Sequence, residues 1–233
     1  MGRKNKRAEN LEKREQQRKQ QLALNRKEKF FKNAKWALFI VAIGVAIYFL
    51  FTATSPPLGD FEPLSFTEID ETDHVIGNPD ASILIIEYSN FQCPACAHYS
   101  PLVMNFMEEH GDSVAFVFRH FPLKQIHRNA EPAARAAEAA AEQGMFWEMK
   151  ELLFAQQSQW SPAGNPRVLF EQYAEQLGLD VAEFSRAYNS REVAARVEHN
   201  YRHAVQSGLR GTPTFFINGQ QTQFETIVAQ FTP

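Results

Sequence analysis

The sequence predicts an α/β domain preceded by a single N-terminal transmembrane helix. An unbroken apolar run at Trp36–Phe51, WALFIVAIGVAIYFLF, indicates the helix. The domain is indicated by two strand-like apolar segments that flank a helical segment over residues 82–119, and by a further strand near the C-terminus. Strands placed early and late around a block of helices are typical of an α/β architecture.

The apolar run is long enough to cross a bilayer. No charged residue occurs between Trp36 and Gly59, and a helix over residues 36–53 would reach ~27 Å, about the thickness of a bilayer core. A buried core helix is normally shorter and apolar on one side only. A cleaved signal peptide normally has a shorter basic region and a shorter apolar core. A transmembrane helix therefore explains the run better than either alternative.

Residues 1–35 form a basic arm. They hold 13 of the 24 Lys and Arg residues and 4 of the 27 Asp and Glu residues, which leaves +9 on the arm and −12 on the rest. Because basic residues that flank a span stay in the cytoplasm, we expect the arm to be cytoplasmic and the domain extracytoplasmic, in the periplasm. Topology and anionic lipids explain this charge without a nucleic-acid partner, for which aromatic or motif support is missing.

The domain is predicted to occupy residues 64–233, after a linker at 54–63 that contains two consecutive prolines. Its first strands are predicted at Ser82–Tyr88 and Ser113–Arg119, and a helix at Pro94–Glu109 separates them. The spacing of apolar residues then predicts a helical insertion over about 126–208. Its helices are predicted at Arg128–Gln143, Met145–Ala155, Arg167–Leu177 and Arg191–Ser207, with another after an Asp180 cap. A last strand, Thr214–Ile217, leads into the hairpin signal Asn218-Gly219 and a short C-terminal helix.

Two cysteines, spaced as Cys93-Pro94-Ala95-Cys96, lie where a predicted strand ends and a helix begins. This spacing brings the sulfurs close enough to bridge, and the helix N-terminus stabilises a thiolate on the first of them. Only a thiolate is nucleophilic, so Cys93 is the expected attacking sulfur. The pair therefore predicts thiol–disulfide exchange.

Three further kinds of cysteine site remain possible for this pair. A structural disulfide would close a small loop, which stabilises a fold less than closing a long loop does. A zinc site would need two further ligands, for which His98 and His110 are candidates, since the sequence has no second Cys-x-x-Cys. Inert core cysteines would not require a proline at a helix start. We therefore expect no metal and no cofactor.

Five segments of the chain resemble a known family. They are GNPDA at 77–81, IIEYSNFQCPAC at 85–96, FRHFPL at 118–123, QGMFWEM at 143–149 and GTPTFFING at 211–219. Together they resemble the DsbA-like branch of the thioredoxin superfamily, especially its membrane-anchored bacterial members. The resemblance implies a thioredoxin-like fold with an inserted helical domain. It also implies that Cys93 forms the mixed disulfide with a substrate and that Cys96 resolves it.

The resemblance assigns roles to three further residues. Pro213 matches the family's cis-proline, which faces the cysteine pair and lets an extended peptide pair with the backbone of the preceding residue, Thr212. An ordinary trans-proline is the alternative, because most X-Pro bonds are trans. Glu87 matches an acidic proton relay near the resolving cysteine, and the alternative is a solvent-facing Glu87 at a strand edge.

One position departs from the family pattern. Strongly oxidising members have a histidine between the cysteines, where this chain has Ala95. The pair is therefore expected to be less oxidising. His98, one turn into the helix, could partly replace that histidine, and the alternative is a His98 that faces solvent.

The sequence thus predicts an enzyme, a thiol–disulfide oxidoreductase that acts on unfolded or exported proteins. Oxidation is favoured over isomerisation or reduction, since isomerases of the superfamily usually carry a separate dimerisation domain. The alternatives are a disulfide reductase or isomerase, and a non-enzymatic membrane-tethered module that binds peptides by strand addition at Pro213. For an oxidising role the family implies a membrane redox partner.

Overall fold

The structure is a computed structural model that describes residues 64–231 and, before them, Trp36, Val41, Ile43 and Val45. Those four residues are helical and exposed. The rest of the predicted span at 36–53, the arm at 1–35 and the linker at 54–63 lie outside the described residues. Within the described residues, no helix has the length and apolarity needed to cross a membrane. The chain divides into two compact units, residues 1–59 and 60–233, and the second contains the cysteines.

One five-stranded sheet forms the centre of this second unit. Its strands, in the order β1-β3-β2-β4-β5, are β1 (His74–Gly77), β2 (Ile83–Ser89), β3 (Val114–His120), β4 (Thr214–Ile217) and β5 (Gln220–Thr222). From residue 64 onward the described chain has eight helices. They are α1 (Pro94–His110), α2 (Ala130–Ala141), α3 (Phe146–Ala155), α4 (Gln157–Trp160), α5 (Arg167–Gln176), α6 (Val181–Tyr188), α7 (Arg191–Gln206) and α8 (Phe224–Ala229).

The two apolar segments of the sequence are the central strands. β2 and β3 are parallel, as a crossover through α1 allows, and β1 and β4 flank them in antiparallel orientation. Both strands are buried almost throughout, which explains why they are continuous apolar runs rather than alternating ones. The predicted strand limits differ from the observed ones by a single residue at each end.

The sheet separates two hydrophobic cores. On one face, Leu84, Ile86 and Tyr88 pack with Phe216 and with Ala204 of α7. On the other face, Ile85 packs with the two cysteines and with most of the helices. Because successive side chains of a strand point to opposite faces, Glu87 lies on the face of Ile85 and the cysteines.

The helical insertion is built around α2. Eight of its residues are buried, and all but one of them are alanines, so that α3, α6 and α7 can pack closely against it. The insertion lies in the chain between β3 and β4, and α6 begins behind Asp180, whose side chain accepts a hydrogen bond from the Glu183 amide as a helix cap.

The hairpin between β4 and β5 has the turn that its sequence predicts. Asn218 and Gly219 have φ values of 46° and 82°, and a two-residue turn with both φ values positive suits the twist of the flanking strands. Asn218 also accepts a hydrogen bond from the Leu84 amide at 2.8 Å, which ties the hairpin to β2.

A buried ion pair fixes the edge of the sheet near β1. Arg119 donates to both carboxylate oxygens of Asp73, at 2.8 and 2.6 Å, and neither side chain is exposed. The same guanidinium donates to the Ser65 carbonyl and the Tyr88 hydroxyl. This paired geometry satisfies both charges away from water.

We expect Asp73→Asn to destabilise the domain by about 3–5 kcal/mol, because it leaves the buried Arg119 charge without its partner. Urea unfolding followed by tryptophan fluorescence measures this free energy. Asp112→Asn is the matched control at an exposed position and should change it by less than about 0.5 kcal/mol. Equal effects of the two substitutions would contradict this role for the ion pair.

Candidate active site

Cys93 and Cys96 lie at the start of α1, directly after β2. Cys93 is the N-cap residue of the helix, and Pro94 sits in the first turn, where no helical hydrogen bond is lost. Both thiols are free. Cys93 is 8% exposed and Cys96 is 0% exposed, so an incoming thiolate can reach only Cys93.

The surroundings of Cys93 favour its thiolate. A hydrogen bond from the Cys96 thiol is the largest cause that lowers the pKa of Cys93, to about 5. The backbone amides of Cys96 and Ala95 and the Thr212 side chain also contribute to this lowered pKa, and burial opposes it. Free amides that point at the sulfur are the expected property of a helix N-terminus. Cys93 is therefore ionised at neutral pH.

Cys96 has the opposite tendency. Burial raises the pKa of the Cys96 thiol strongly, and the nearby Cys93 and Glu87 raise it further. At neutral pH the pair therefore holds one thiolate and one thiol. This division of roles is the one that a nucleophile and a resolving cysteine need.

Glu87 is buried beside the pair, at 1% exposure, and the alternative of a solvent-facing residue is wrong. Burial raises the pKa of Glu87 to about 7, while the Lys150 ammonium and the Ser89 side chain oppose the rise. A carboxyl group with this pKa is about half protonated at neutral pH and can both take and give a proton.

Thr212 and Pro213 lie next to Cys93. Their peptide bond is cis, as predicted from the sequence, and the Cys93 sulfur lies 3.3 Å from the Thr212 carbonyl oxygen, to which it donates a hydrogen bond only in its protonated form. Both residues are half-buried just before β4. The structure therefore brings Thr212 and Pro213 to the reactive sulfur.

His98 is exposed, and its ring lies edge-on to Tyr99. It acts electrostatically on Glu225 of α8 and is absent from the main causes of the Cys93 pKa. His98 therefore faces solvent, the second of the two alternatives considered from the sequence.

The insertion holds the loop that carries Cys93, through residues that the sequence did not single out. Gln157 of α4 donates to the carbonyls of Phe91 and Cys93, at 2.7 and 3.0 Å. Gln92 accepts from the Asn129 amide and donates to the Ser161 carbonyl. A glutamine in a helix or a loop gives no distinctive sequence signal, so these contacts could be found only in the folded chain.

One group of side chains within the described residues has the donors of a metal site: His74, His120 and Glu138. Each imidazole Nε2 lies 2.8 Å from the same Glu138 oxygen, a hydrogen-bond distance, and Arg196 neutralises the other oxygen. The group therefore fits a hydrogen-bonded cluster around a carboxylate that is paired with Arg196 better than a cation site. His98 and His110, the zinc ligands considered from the sequence, are not part of it.

Comparison with known proteins places this geometry in a family. The thioredoxin family model matches residues 69–231. A Na(+)/H(+) antiporter of Salinispora tropica, NhaA 3, is 42% identical over 151 residues, which cover 65% of this chain and 22% of the antiporter. The chain spans about a quarter of the length of the curated relatives it matches, so the likeness concerns one part of those longer proteins.

Two solved structures show the same fold. Pseudomonas aeruginosa DsbA2 is 25% identical, with a TM-score of 0.55 over 68% of this chain and 92% of that one. MdbA of Corynebacterium diphtheriae, a thiol-disulfide oxidoreductase, is 21% identical, with a TM-score of 0.58 over 76% of this chain and 100% of that one. The fold, the cysteine pair and the family match agree. This chain therefore belongs to the thioredoxin family and is a DsbA-like protein of the thioredoxin superfamily.

Proposed function

We propose that this protein is a thiol–disulfide oxidoreductase that introduces disulfides into unfolded, exported proteins. The observation that carries the proposal is the division between the two sulfurs. Cys93 is accessible and ionised, while Cys96 is buried and protonated beside an acid that can exchange its proton. A structural disulfide or a pair of inert thiols would need none of these features.

The geometry supports a balanced exchange reaction. With Cys93 and Cys96 joined, a substrate thiolate attacks the Cys93 sulfur, and the bond to Cys96 breaks. Cys96 leaves as a thiolate and takes a proton from Glu87. A second substrate thiolate then attacks the substrate sulfur of the mixed disulfide, and Cys93 leaves as a stable thiolate. Two electrons pass from the substrate dithiol to the cysteine pair.

The stable Cys93 thiolate favours the oxidising direction, because it stabilises the reduced pair and makes its disulfide a better oxidant. Ala95 contributes no donor side chain between the cysteines. Losing one charge-assisted hydrogen bond of ~1.5–3 kcal/mol lowers the reduction potential by roughly 30–65 mV. The pair should therefore be a weaker oxidant than histidine-bearing members.

Catalysed refolding separates an enzyme from a peptide-binding module. The full chain, oxidised and purified in detergent, should accelerate disulfide formation in reduced ribonuclease. Cys93→Ser should abolish this turnover and preserve the fold, measured by circular dichroism. Binding of unfolded ribonuclease without turnover would instead establish the non-enzymatic module.

A membrane location is the second part of the proposed function, and the sequence provides its support. We propose that residues 36–53 anchor the protein in the cell membrane, with the basic arm in the cytoplasm and the cysteines in the periplasm. Disulfides persist in that compartment, where a membrane redox partner could reoxidise the pair. The antiporter relatives are membrane transporters by name, which fits a domain that works beside a membrane.

Thiol alkylation of the reduced protein should show a titration near pH 5, because the contacts around Cys93 stabilise its thiolate. Mass spectrometry should locate the label on Cys93. An apparent pKa near the usual value of about 8.5, or labelling mainly on Cys96, would contradict the assignment.

The reduction potential should lie between about −270 mV, the value of thioredoxin, and about −120 mV, the value of DsbA. Between the pKa values of the two thiols, reduction binds one proton, so the potential should fall by about 30 mV per pH unit. Below pH 5, where Cys93 is also protonated, the slope should double to about 59 mV. Equilibration with glutathione at a series of pH values measures the reduction potential and its slope. A reduction potential near that of thioredoxin would favour a reductase.

Alkaline phosphatase fused to the C-terminus of the full chain should be active in bacterial cells, since the enzyme needs the oxidising periplasm to form its disulfides. A fusion after Lys35, within the basic arm, should be inactive. The reverse pattern would disprove the proposed orientation.

A further inference from the structure

A lysine occupies a core position of the insertion. The buried positions of α3 are Phe146, Met149, Lys150, Leu153 and Phe154, the spacing of an inward-facing helix stripe. Lys150 is 0% exposed. A charge at such a position is costly unless other groups compensate it, so its contacts are informative.

The contacts of Lys150 hold its ammonium group in one place. Nζ donates to Ser100 Oγ at 2.8 Å and to Glu151 Oε1 at 2.7 Å. The Ser100 hydroxyl donates to the same Glu151 oxygen at 2.9 Å, which closes a three-membered cluster. The Glu151 side chain is 40% exposed, so water screens its charge while the ammonium stays buried.

Two neighbours place this ammonium beside the redox site. It lies 5.9 Å from the centre of the Phe118 ring, and Phe118 is the partner of Glu87 across the β2–β3 ladder. Paired residues of neighbouring strands point to the same face, so Glu87 and Lys150 share one side of the sheet. Ser100 lies one helical turn after Cys96 on α1, on the same helix face.

We propose that Lys150 is a positioning residue for disulfide exchange: its ammonium, held by Ser100 and Glu151, stabilises the Glu87 carboxylate and thereby sets the pH at which Glu87 accepts the Cys96 proton. This inference rests on the proposed oxidoreductase function. It gives the buried lysine a role that packing alone does not provide.

The titratable groups that interact with Glu87 come from two helices. Helix α1 contributes Cys93 and Cys96, and α3 contributes Lys150 and Glu151, while the flanking strands place Phe118 and Phe215 opposite Glu87. Lys150 lowers the pKa of Glu87, and Glu151 raises it. Removing Lys150 should therefore raise the pKa of Glu87, and removing Glu151 should lower it.

Single-turnover oxidation of the reduced full chain by dithiodipyridine isolates the step in question. In the first phase, the Cys93 thiolate attacks the probe and releases one thiopyridone. In the second phase, Cys96 gives its proton to Glu87, attacks Cys93 and releases the second thiopyridone. The pair loses two electrons and the probe gains them. The pH midpoint of the second phase reports the protonation of Glu87.

Lys150→Met should move this midpoint upward by about one pH unit or more, the effect of removing an opposite charge near a carboxylate. At a fixed pH below the midpoint, each pH unit by which the midpoint rises slows the second phase about tenfold. Glu151→Gln should move it downward by a smaller amount, because Glu151 is partly exposed. Lys124→Met is the matched control. It removes a lysine that is also paired, to Glu131 and Glu198, and should leave the midpoint unchanged.

The same substitutions in a Glu87→Gln background show whether a shift of the pH midpoint acts through Glu87. Lys150→Met should add no shift there, since the group on which it acts is gone. Unchanged midpoints in both single variants, or an equal slowing with and without Glu87, would overturn the inference and leave the oxidoreductase function intact. Loss of the first phase in the unaltered chain would instead refute the function. Glu151→Gln keeps the test decisive if Lys150→Met does not fold.

Discussion

The position at which α1 begins determines the chemistry of both cysteines. If the helix began one residue earlier or later, Cys93 would lose its N-cap position next to the free amides of the helix start. With the helix starting at Pro94, the first sulfur is stabilised as an anion and the second is confined as a neutral thiol. The proline favours this start because its backbone suits the first turn.

The sheet and the insertion supply the remaining parts of the site. β2 brings Glu87 to the face that α1 covers, and the chain before β4 brings Thr212 and Pro213 next to Cys93. The insertion adds a buried cation next to the acid. A small α/β core therefore provides the thiols and the acid, and the added helices determine the electrostatic conditions under which they work.

Much of this could be predicted from the sequence, because local patterns determine it. The two central strands, the helix start at the cysteines and the turn at Asn218-Gly219 each depend on a few adjacent residues. β1 escaped prediction, since it is only four residues long and half-buried at an edge. The pairing of Arg119 with Asp73 and the burial of Lys150 also escaped, since both depend on contacts between segments distant in sequence. The continuous apolar run around Glu87 indicated a buried strand, and only the folded chain shows that Lys150 of α3 acts on its charge.

The two hydrogen bonds from Gln157 have a consequence for local motion. They join the loop before α1 to the insertion, so the loop cannot open without releasing α4 as well. Local opening of a protein follows such cooperative units rather than single residues. Amide hydrogen exchange around the cysteines should therefore report the stability of the inserted helices. A substitution that destabilises the insertion should also speed exchange at the amides near the redox pair.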